Sequence, residues 1–332
     1  MNMKQWLAEA LSAKKPLPIL SFPCISLLDV SVKELIADSE LQAEGMKKVA
    51  EAVDAAAAVS LMDLSVEAEC FGAAVRFSEE EVPTVTGRLV HDEDEANALE
   101  VPPVGAARSG LYVDSIRKAC RRITDRPVFA GMIGPFSLAA RLLDVSEIMM
   151  DCYDEPDMVH TVMEKCTAFL IEYAKAYREA GANGIMMAEP VAGLLSPSLE
   201  EEFAAPYVKK IIDAVQDEEF IVIYHNCGDN IAAMTDSIFA NGAAAYHFGN
   251  AVKLSVMLDK APEGVPVRGT VDPAGVLRFG TVEEVKAATR AVLEECSKYP
   301  DFLLSSGCDI PPLTPWENLH AFFKTAEEFY GR

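Results

Sequence analysis

The stretch Phe220–Cys227, FIVIYHNC, is an apolar run that ends in a histidine, an asparagine and a cysteine. A continuous apolar run, rather than an alternating one, is typical of a strand buried on both faces of a parallel sheet. Seven similar runs occur along the chain, each followed by a helical pattern: Pro18–Phe22, Ala58–Leu64, Pro127–Ile133, Gly184–Glu189, Ala243–Phe248, Val265–Thr270 and Phe302–Ser306. Eight buried strands separated by helices predict an α/β fold, a (β/α)8 TIM barrel. A doubly wound sheet is the alternative.

Two parts of the sequence fall outside these repeating units. Met1–Lys15 has the pattern of an amphipathic helix, which predicts an N-terminal helical extension. Glu67–Pro103, after the second strand, is rich in acidic and small residues and too long for an ordinary connection. Such a long loop insertion is typical of a lid or a binding segment, although it could also be a solvated excursion. We expect residues 1–332 to form one barrel domain.

Composition narrows the possible partners and the cell compartment. The formal net charge is −23, which repels phosphate backbones, so neither nucleic acid nor an anionic membrane surface is an expected partner. The eight cysteines lack the close, even spacing of a disulfide framework. The sequence shows neither an apolar export signal nor a run of roughly eighteen apolar residues that could span a membrane. Reduced thiols and a cytoplasmic location follow as expectations.

Three soft donor side chains lie at the ends of predicted strands. His225 and Cys227 close one strand, and Cys308 follows another. In a barrel, the carboxyl ends of the strands carry the chemistry. Three such ligands leave the fourth position of a tetrahedral zinc ion open, which is the arrangement of a catalytic zinc site. The opposing interpretation is that both cysteines are buried, inert hydrophobic residues.

Four further strand-end residues are candidates for catalysis. Glu189 is a candidate fourth zinc ligand, a partner that orients His225, or simply a cap for the next segment. His247 ends an apolar run, so it is a candidate substrate-binding or ligand-orienting residue rather than a core histidine. Asp229 and Asp272 are candidates for contacts with the ligands, but each could also cap a helix or turn.

The other polar residues at the predicted strand ends share an acidic bias. They are Cys24, Asp63, Glu67, Glu69, Asn250 and Asp309, and lysine and arginine are nearly absent from the whole set. A site for a phosphorylated or polyanionic substrate would have the opposite bias. The composition of the strand ends therefore argues against such a substrate.

Several segments together resemble the uroporphyrinogen decarboxylase superfamily. They are Val66–Gly72, Leu194–Pro197, Tyr224–Asp229, Gly269–Pro273 and Gly307–Leu319. Within that superfamily, His-x-Cys with a distant Cys is similar to the zinc-dependent corrinoid methyltransferases. The resemblance implies a (β/α)8 barrel, a zinc ion held by His225, Cys227 and Cys308, and methyl transfer between a corrinoid and a small thiol, ether, alcohol or amine.

The resemblance also implies a partner, because this sequence has no corrinoid-binding Asp-x-His-x-x-Gly signature. Cobalamin must then come from a corrinoid carrier protein or be taken up free. Two alternatives stay open, a uroporphyrinogen decarboxylase-type carboxy-lyase and a non-catalytic small-molecule-binding barrel. The decarboxylase has an arginine-rich N-terminal segment, whereas the matching stretch Leu17–Leu28 contains no arginine or lysine. A substrate with eight carboxylates would meet an unfavourable, acidic mouth.

Overall fold

The structure, a computed structural model, describes residues 1–331. Its strands are β1 Ala58–Val59, β2 Ala74–Arg76, β3 Thr84–Thr86, β4 Val128–Ile133, β5 Gly184–Ala188, β6 Ile221–Asn226, β7 Ala245–Phe248, β8 Val267–Val271 and β9 Phe302–Ser306. β1 and β4 to β9 form one parallel sheet in chain order, and β2 pairs with β3 in a separate antiparallel hairpin. The parallel sheet curls into a barrel with helices outside it, which confirms the predicted TIM-barrel class.

The prediction of a first strand at Pro18–Phe22 is wrong, because no regular strand forms there. The segment still lies between β9 and the residues before β1. The amide of Leu17 donates to the Leu304 carbonyl at 2.9 Å, and the Ala56 amide donates to the Pro16 carbonyl at 2.9 Å. Pro16 and Pro18 have no N–H to give, so a continuous ladder cannot form. An irregular segment thus takes the eighth strand position.

The helices surround the sheet, and their bounds are α1 Met3–Ala13, α2 Ile25–Leu28, α3 Val32–Ile36, α4 Ser39–Ala52, α5 Val66–Cys70, α6 Glu93–Ala98, α7 Ser109–Arg122, α8 Pro135–Leu143, α9 Val145–Asp154, α10 Pro156–Glu179, α11 Pro197–Phe203, α12 Ala205–Val215, α13 Thr235–Ala240, α14 Leu254–Lys260, α15 Val282–Cys296 and α16 Trp316–Phe329. Side-chain hydrogen bonds to the first backbone amides fix where several of these helices begin. In α15, Thr281 and Glu284 form a capping box, in which the Glu284 carboxylate accepts from the Thr281 amide at 2.7 Å.

The N-terminal extension is confirmed as α1, and it covers the amino-terminal end of the barrel. Its buried face packs onto side chains inside the barrel, and the Trp6 ring lies 5.5 Å from the Phe129 ring. The Met3 amide donates to the carbonyl of Glu218, just before β6, at 2.7 Å. α1 therefore closes the end of the barrel opposite the strand ends that carry the predicted ligands.

The insertion after β1 has secondary structure of its own. It contains α5, the β2–β3 hairpin and α6, where the sequence indicated only a long loop. Arg88 attaches it to α9 through ion pairs with Glu147 at 3.0 Å and Asp151 at 2.9 Å. Elements of three to six residues are too short to show a readable hydrophobic period, which is why the sequence pattern did not reveal them.

Across residues 1–331, none of the helices combines the length and the apolar character that crossing a bilayer requires.

Shortening Trp6 to alanine is expected to lower the free energy of unfolding by about 3–5 kcal/mol, because it leaves a cavity over Phe129. Lys4→Ala, an exposed position on the same helix, is the matched control and should change it by less than about 0.5 kcal/mol. Denaturant unfolding of the two variants measures both values. Equal effects would contradict the role assigned to α1.

Candidate metal centre

The three predicted metal ligands come together at the carboxyl end of the barrel. His225 is the penultimate residue of β6, Cys227 follows that strand directly, and Cys308 lies two residues beyond β9. One ligand atom from each side chain lies within 4.8 Å of the other two. Nε2 of His225 is 3.4 Å from Sγ of Cys308. Ligand atoms around a tetrahedral zinc ion lie roughly 3.5–3.8 Å apart, so this donor set fits zinc with little rearrangement.

The thiols of Cys227 and Cys308 share a hydrogen bond. A hydrogen bond from Cys308, opposed by burial and assisted by His225, lowers the pKa of Cys227 to about 4. The same hydrogen bond, together with burial, raises the pKa of Cys308 well above its ordinary value. The pair therefore releases one proton readily and shares the other. A divalent cation between the sulfurs would displace the shared proton, since metal-bound thiols are deprotonated.

A hydrogen-bonded relay fixes which nitrogen of His225 faces the sulfurs. The Ser306 carbonyl, 2.7 Å from Nε2 of His247, can only accept, so this nitrogen donates. Nδ1 of a neutral His247 is then an acceptor for Nδ1–H of His225, 2.8 Å away. Burial, with repulsion from His225 and Arg268, lowers the pKa of His247 well below its ordinary value, which keeps the ring neutral. Nε2 of His225 is left with a lone pair directed at Cys308.

Glu189 has its carboxylate committed to α8. Oε1 accepts from the Phe136 amide at 2.8 Å, and Oε2 accepts from the Ser137 amide at 2.9 Å and the Ser137 hydroxyl at 2.7 Å. Burial raises the pKa of Glu189 to about 7, against the effect of these hydrogen bonds. The only direct bond from Glu189 to His225 is between backbones, at 2.8 Å. These contacts cap α8, which precedes Glu189 in the chain, whereas the sequence suggested a cap for the segment that follows it.

Asp229 and Asp272 lie apart from the ligand cluster. Asp229 is exposed to solvent. Oδ1 of Asp272 accepts from the amides of Ala274 and Gly275, both at 2.9 Å, and so caps the π-helical turn Pro273–Arg278. These contacts favour the capping alternative for Asp272, and neither aspartate belongs to the group of ligand atoms around His225.

A small cavity of about 60 Å³ lies over the ligands. Its lining consists of Ile19, Met62, Leu64, Ala188, Pro190, His225, Cys227, Cys308 and Asp309. Cys227 and Cys308 are partly exposed, so both sulfurs can be reached from this space. A ligand entering the cavity would therefore meet the donor set directly.

Two larger grooves lie at the opposite end of the barrel, on either side of α1. Their volumes are about 460 and 590 Å³. Within residues 1–331, the only group of three or more potential metal ligands with closely spaced donor atoms is the one at the mouth. Cavity volume alone would thus place the functional site at the end of the barrel opposite the predicted ligands.

Arg108, which the sequence reasoning missed, organises the carboxyl end of the barrel near β1. Arg108 binds Asp63 through Nη1 at 2.5 Å and Glu69 through Nε at 2.7 Å. The Tyr112 hydroxyl also donates to Asp63, at 2.7 Å. The strand-end position of Asp63 indicated an acidic site, but Arg108 lies forty-five positions further along the chain. Nothing in the local pattern links the two residues.

A second buried carboxyl, Glu67, lies close to this network. Oε1 accepts from the Ile133 amide at 3.0 Å, whereas Oε2 has no hydrogen-bond partner among the described residues. Burial raises the pKa of Glu67 to about 7, and the charge of Arg141 works in the opposite direction. Burial lowers the pKa of Arg141, and the negative charges of Glu67, Glu189 and Asp63 work in the opposite direction. Both arginines of this region thus have several carboxylates as neighbours.

Comparison with known proteins gives relatives of two activities. The chain is 28% identical over 273 residues to the methylcobamide:CoM methyltransferase MtbA of Methanosarcina acetivorans, covering 80% of this chain and 78% of that protein. The corresponding enzyme of Methanosarcina mazei is 29% identical and covers 88% and 86%. A uroporphyrinogen decarboxylase of Prochlorococcus marinus is 28% identical and covers 68% and 65%.

Solved structures support the fold. A methyltransferase from Methanosarcina mazei superposes with a TM-score of 0.86 at 23% identity and covers 99% of both chains. The family described as uroporphyrinogen decarboxylase (URO-D) matches residues 25–329, which is nearly the whole length. The chain therefore belongs to the uroporphyrinogen decarboxylase family.

Proposed function

We propose that this protein is a zinc-dependent methyltransferase that moves a methyl group between a corrinoid and a small thiol, ether, alcohol or amine. The observation that carries the proposal is the convergence of His225, Cys227 and Cys308 within 4.8 Å at the barrel mouth. The methylcobamide:CoM methyltransferases among its relatives support corrinoid-dependent transfer. The corrinoid comes from a carrier protein or free cobalamin, and the enzyme works in the cytoplasm.

Each residue of the proposed site has a separate role. Cys227 and Cys308 supply two negative charges and His225 supplies a neutral donor, so the set balances a divalent ion. Zinc bound there would lower the pKa of a thiol in its open position or polarise the heteroatom of a methyl donor. His247 holds His225 in the tautomer that points Nε2 at the metal position. The apolar lining keeps water away from the reacting atoms.

Decarboxylation is the weaker alternative, although decarboxylases are also among the relatives. The N-terminal stretch Leu17–Leu28 has no cation, and the one charged side chain in the cavity lining, apart from the ligands, is Asp309. A tetrapyrrole with eight carboxylates would have to be desolvated against this acidic surface, which is costly. Carbon dioxide release from uroporphyrinogen without a metal requirement would favour the decarboxylase.

Replacing Cys308 by alanine is expected to reduce bound zinc from about one ion per chain to below roughly one tenth, because a two-ligand site holds zinc poorly. Methyl transfer from methylcobalamin to a thiol should fall at least about a hundredfold. Metal analysis and the change of the cobalamin spectrum to Co(I) measure the two effects. Cys120→Ala, at a partly buried thiol outside the site, should leave both unchanged. Full zinc and full activity in Cys308→Ala would refute the proposed ligand.

Replacing His247 by leucine removes the side-chain acceptor for Nδ1–H of His225 and leaves only the backbone carbonyl of residue 247, at 3.2 Å, so it should weaken zinc binding by roughly 10-fold. His247→Asn retains an acceptor oxygen and should recover part of the loss. Competition with a chromophoric chelator gives both affinities, and thermal unfolding checks that the variants fold. If the leucine variant binds zinc as tightly as the wild type, the relay does not orient His225.

A further inference from the structure

Cys227 and Cys308 are far apart in the chain, but their side chains meet at the carboxyl end of the barrel. Their sulfurs lie within 4.8 Å of each other, and the two thiols share a hydrogen bond. Both residues are partly exposed and line the same cavity of about 60 Å³. The two sulfurs are therefore close to each other and open to a small reagent.

Close packing of the backbone holds both cysteine-bearing loops in place. Gly249 lies against Cβ of Cys227, and Gly307 lies against the side chain of Asn250, each too closely for a Cβ of its own. Gly249 and Asn250 follow β7, so the end of this strand contacts Cys227 on one side and the neighbour of Cys308 on the other. Because the folded chain already holds the two loops together, joining the sulfurs costs little further chain entropy.

The separation of the sulfurs is within reach of a disulfide. Bonded sulfurs are about 2.05 Å apart, and a change of rotamer moves a cysteine sulfur by roughly 3 Å. A small disulfide supplies the oxidant for the reaction. Its own S–S bond breaks and it accepts two electrons and two protons from the thiols of Cys227 and Cys308, giving two small thiols and one new S–S bond in the protein.

The other cysteines are poorer sites for this reaction. Cys70 and Cys120 are partly exposed, but burial raises the pKa of each thiol to about 11, which makes both weak nucleophiles. The remaining four are buried, namely Cys24, Cys152, Cys166 and Cys296. Proximity and access to the cavity thus single out the pair of Cys227 and Cys308.

We propose that Cys227 and Cys308 form a redox modification site, at which a small disulfide joins them reversibly when no metal is bound. This inference rests on the proposed function, because it describes regulation of the same donor set. Joined sulfurs no longer act as two thiolate ligands, so oxidation removes two of the three predicted ligands. A small thiol restores them by exchange.

Oxidised glutathione added to the chelator-treated protein tests the proposal. The intact mass should fall by the mass of two hydrogen atoms, and mass spectrometry of a tryptic digest should place the cross-link between Cys227 and Cys308. Zinc binding should fall from about one ion per chain to below roughly one tenth, and dithiothreitol should restore it. A stable glutathione adduct on either cysteine, or an unchanged mass, would overturn the proposal.

Matched variants identify the reacting residues. Cys227→Ser and Cys308→Ser should each abolish the cross-link, whereas the double variant Cys70→Ser/Cys120→Ser should form it as the wild type does. Formation of the cross-link in either single variant at the mouth would contradict the assigned pair.

Zinc-loaded protein separates this proposal from the proposed function. It should form the cross-link at least about tenfold more slowly than the metal-free protein, because a bound ion occupies both sulfurs. Equal rates with and without zinc would refute these cysteines as ligands and leave the redox site standing. Zinc binding by a chain that never forms the cross-link would refute the redox site alone.

Discussion

The site depends on one geometric constraint, the meeting of a histidine and two cysteines from the ends of strands that are not neighbours. β7 and β8 separate β6 from β9 in the sheet, so only the curvature of the barrel brings His225 and Cys308 within 3.4 Å. The loop that carries Cys227 is packed tightly against the next strand end. A Cβ on Gly249 would lie 2.6 Å from Cβ of Cys227, so no larger residue fits there without movement. Backbone packing thus holds this predicted ligand in place.

Inside the barrel, a row of paired residues supports this geometry. His225, His247 and Arg268 occupy matching positions on β6, β7 and β8, so their side chains lie on the same face of the sheet. The Ser306 carbonyl, at the end of β9 and outside this row, accepts from His247 and orients it, and His247 in turn orients His225. The direction of the His225 lone pair is therefore set by hydrogen bonds that join residues of β6, β7 and β9.

The sequence predicted the barrel and the ligand cluster because both follow from strand ends. Apolar runs mark where strands stop, and the fold gathers those ends at one rim. The same reasoning failed at Pro18–Phe22, where prolines interrupt an apolar run. It also could not separate capping from catalysis at Glu189, since the acceptors of that carboxylate are filled by Phe136 and Ser137 from a preceding helix. Residues distant in sequence determine such roles, and a single sequence does not show which of them will be in contact.

Arg108 connects the insertion after β1 with the acidic residues at the carboxyl end of the barrel. Arg108, just after the insertion, holds this region on the barrel through Asp63 and Glu69, and the Phe77 ring of the insertion lies 5.1 Å from its guanidinium carbon. The ion pairs that hold the insertion also neutralise the charge of Arg108, so this arginine is not free to pair with an acidic substrate.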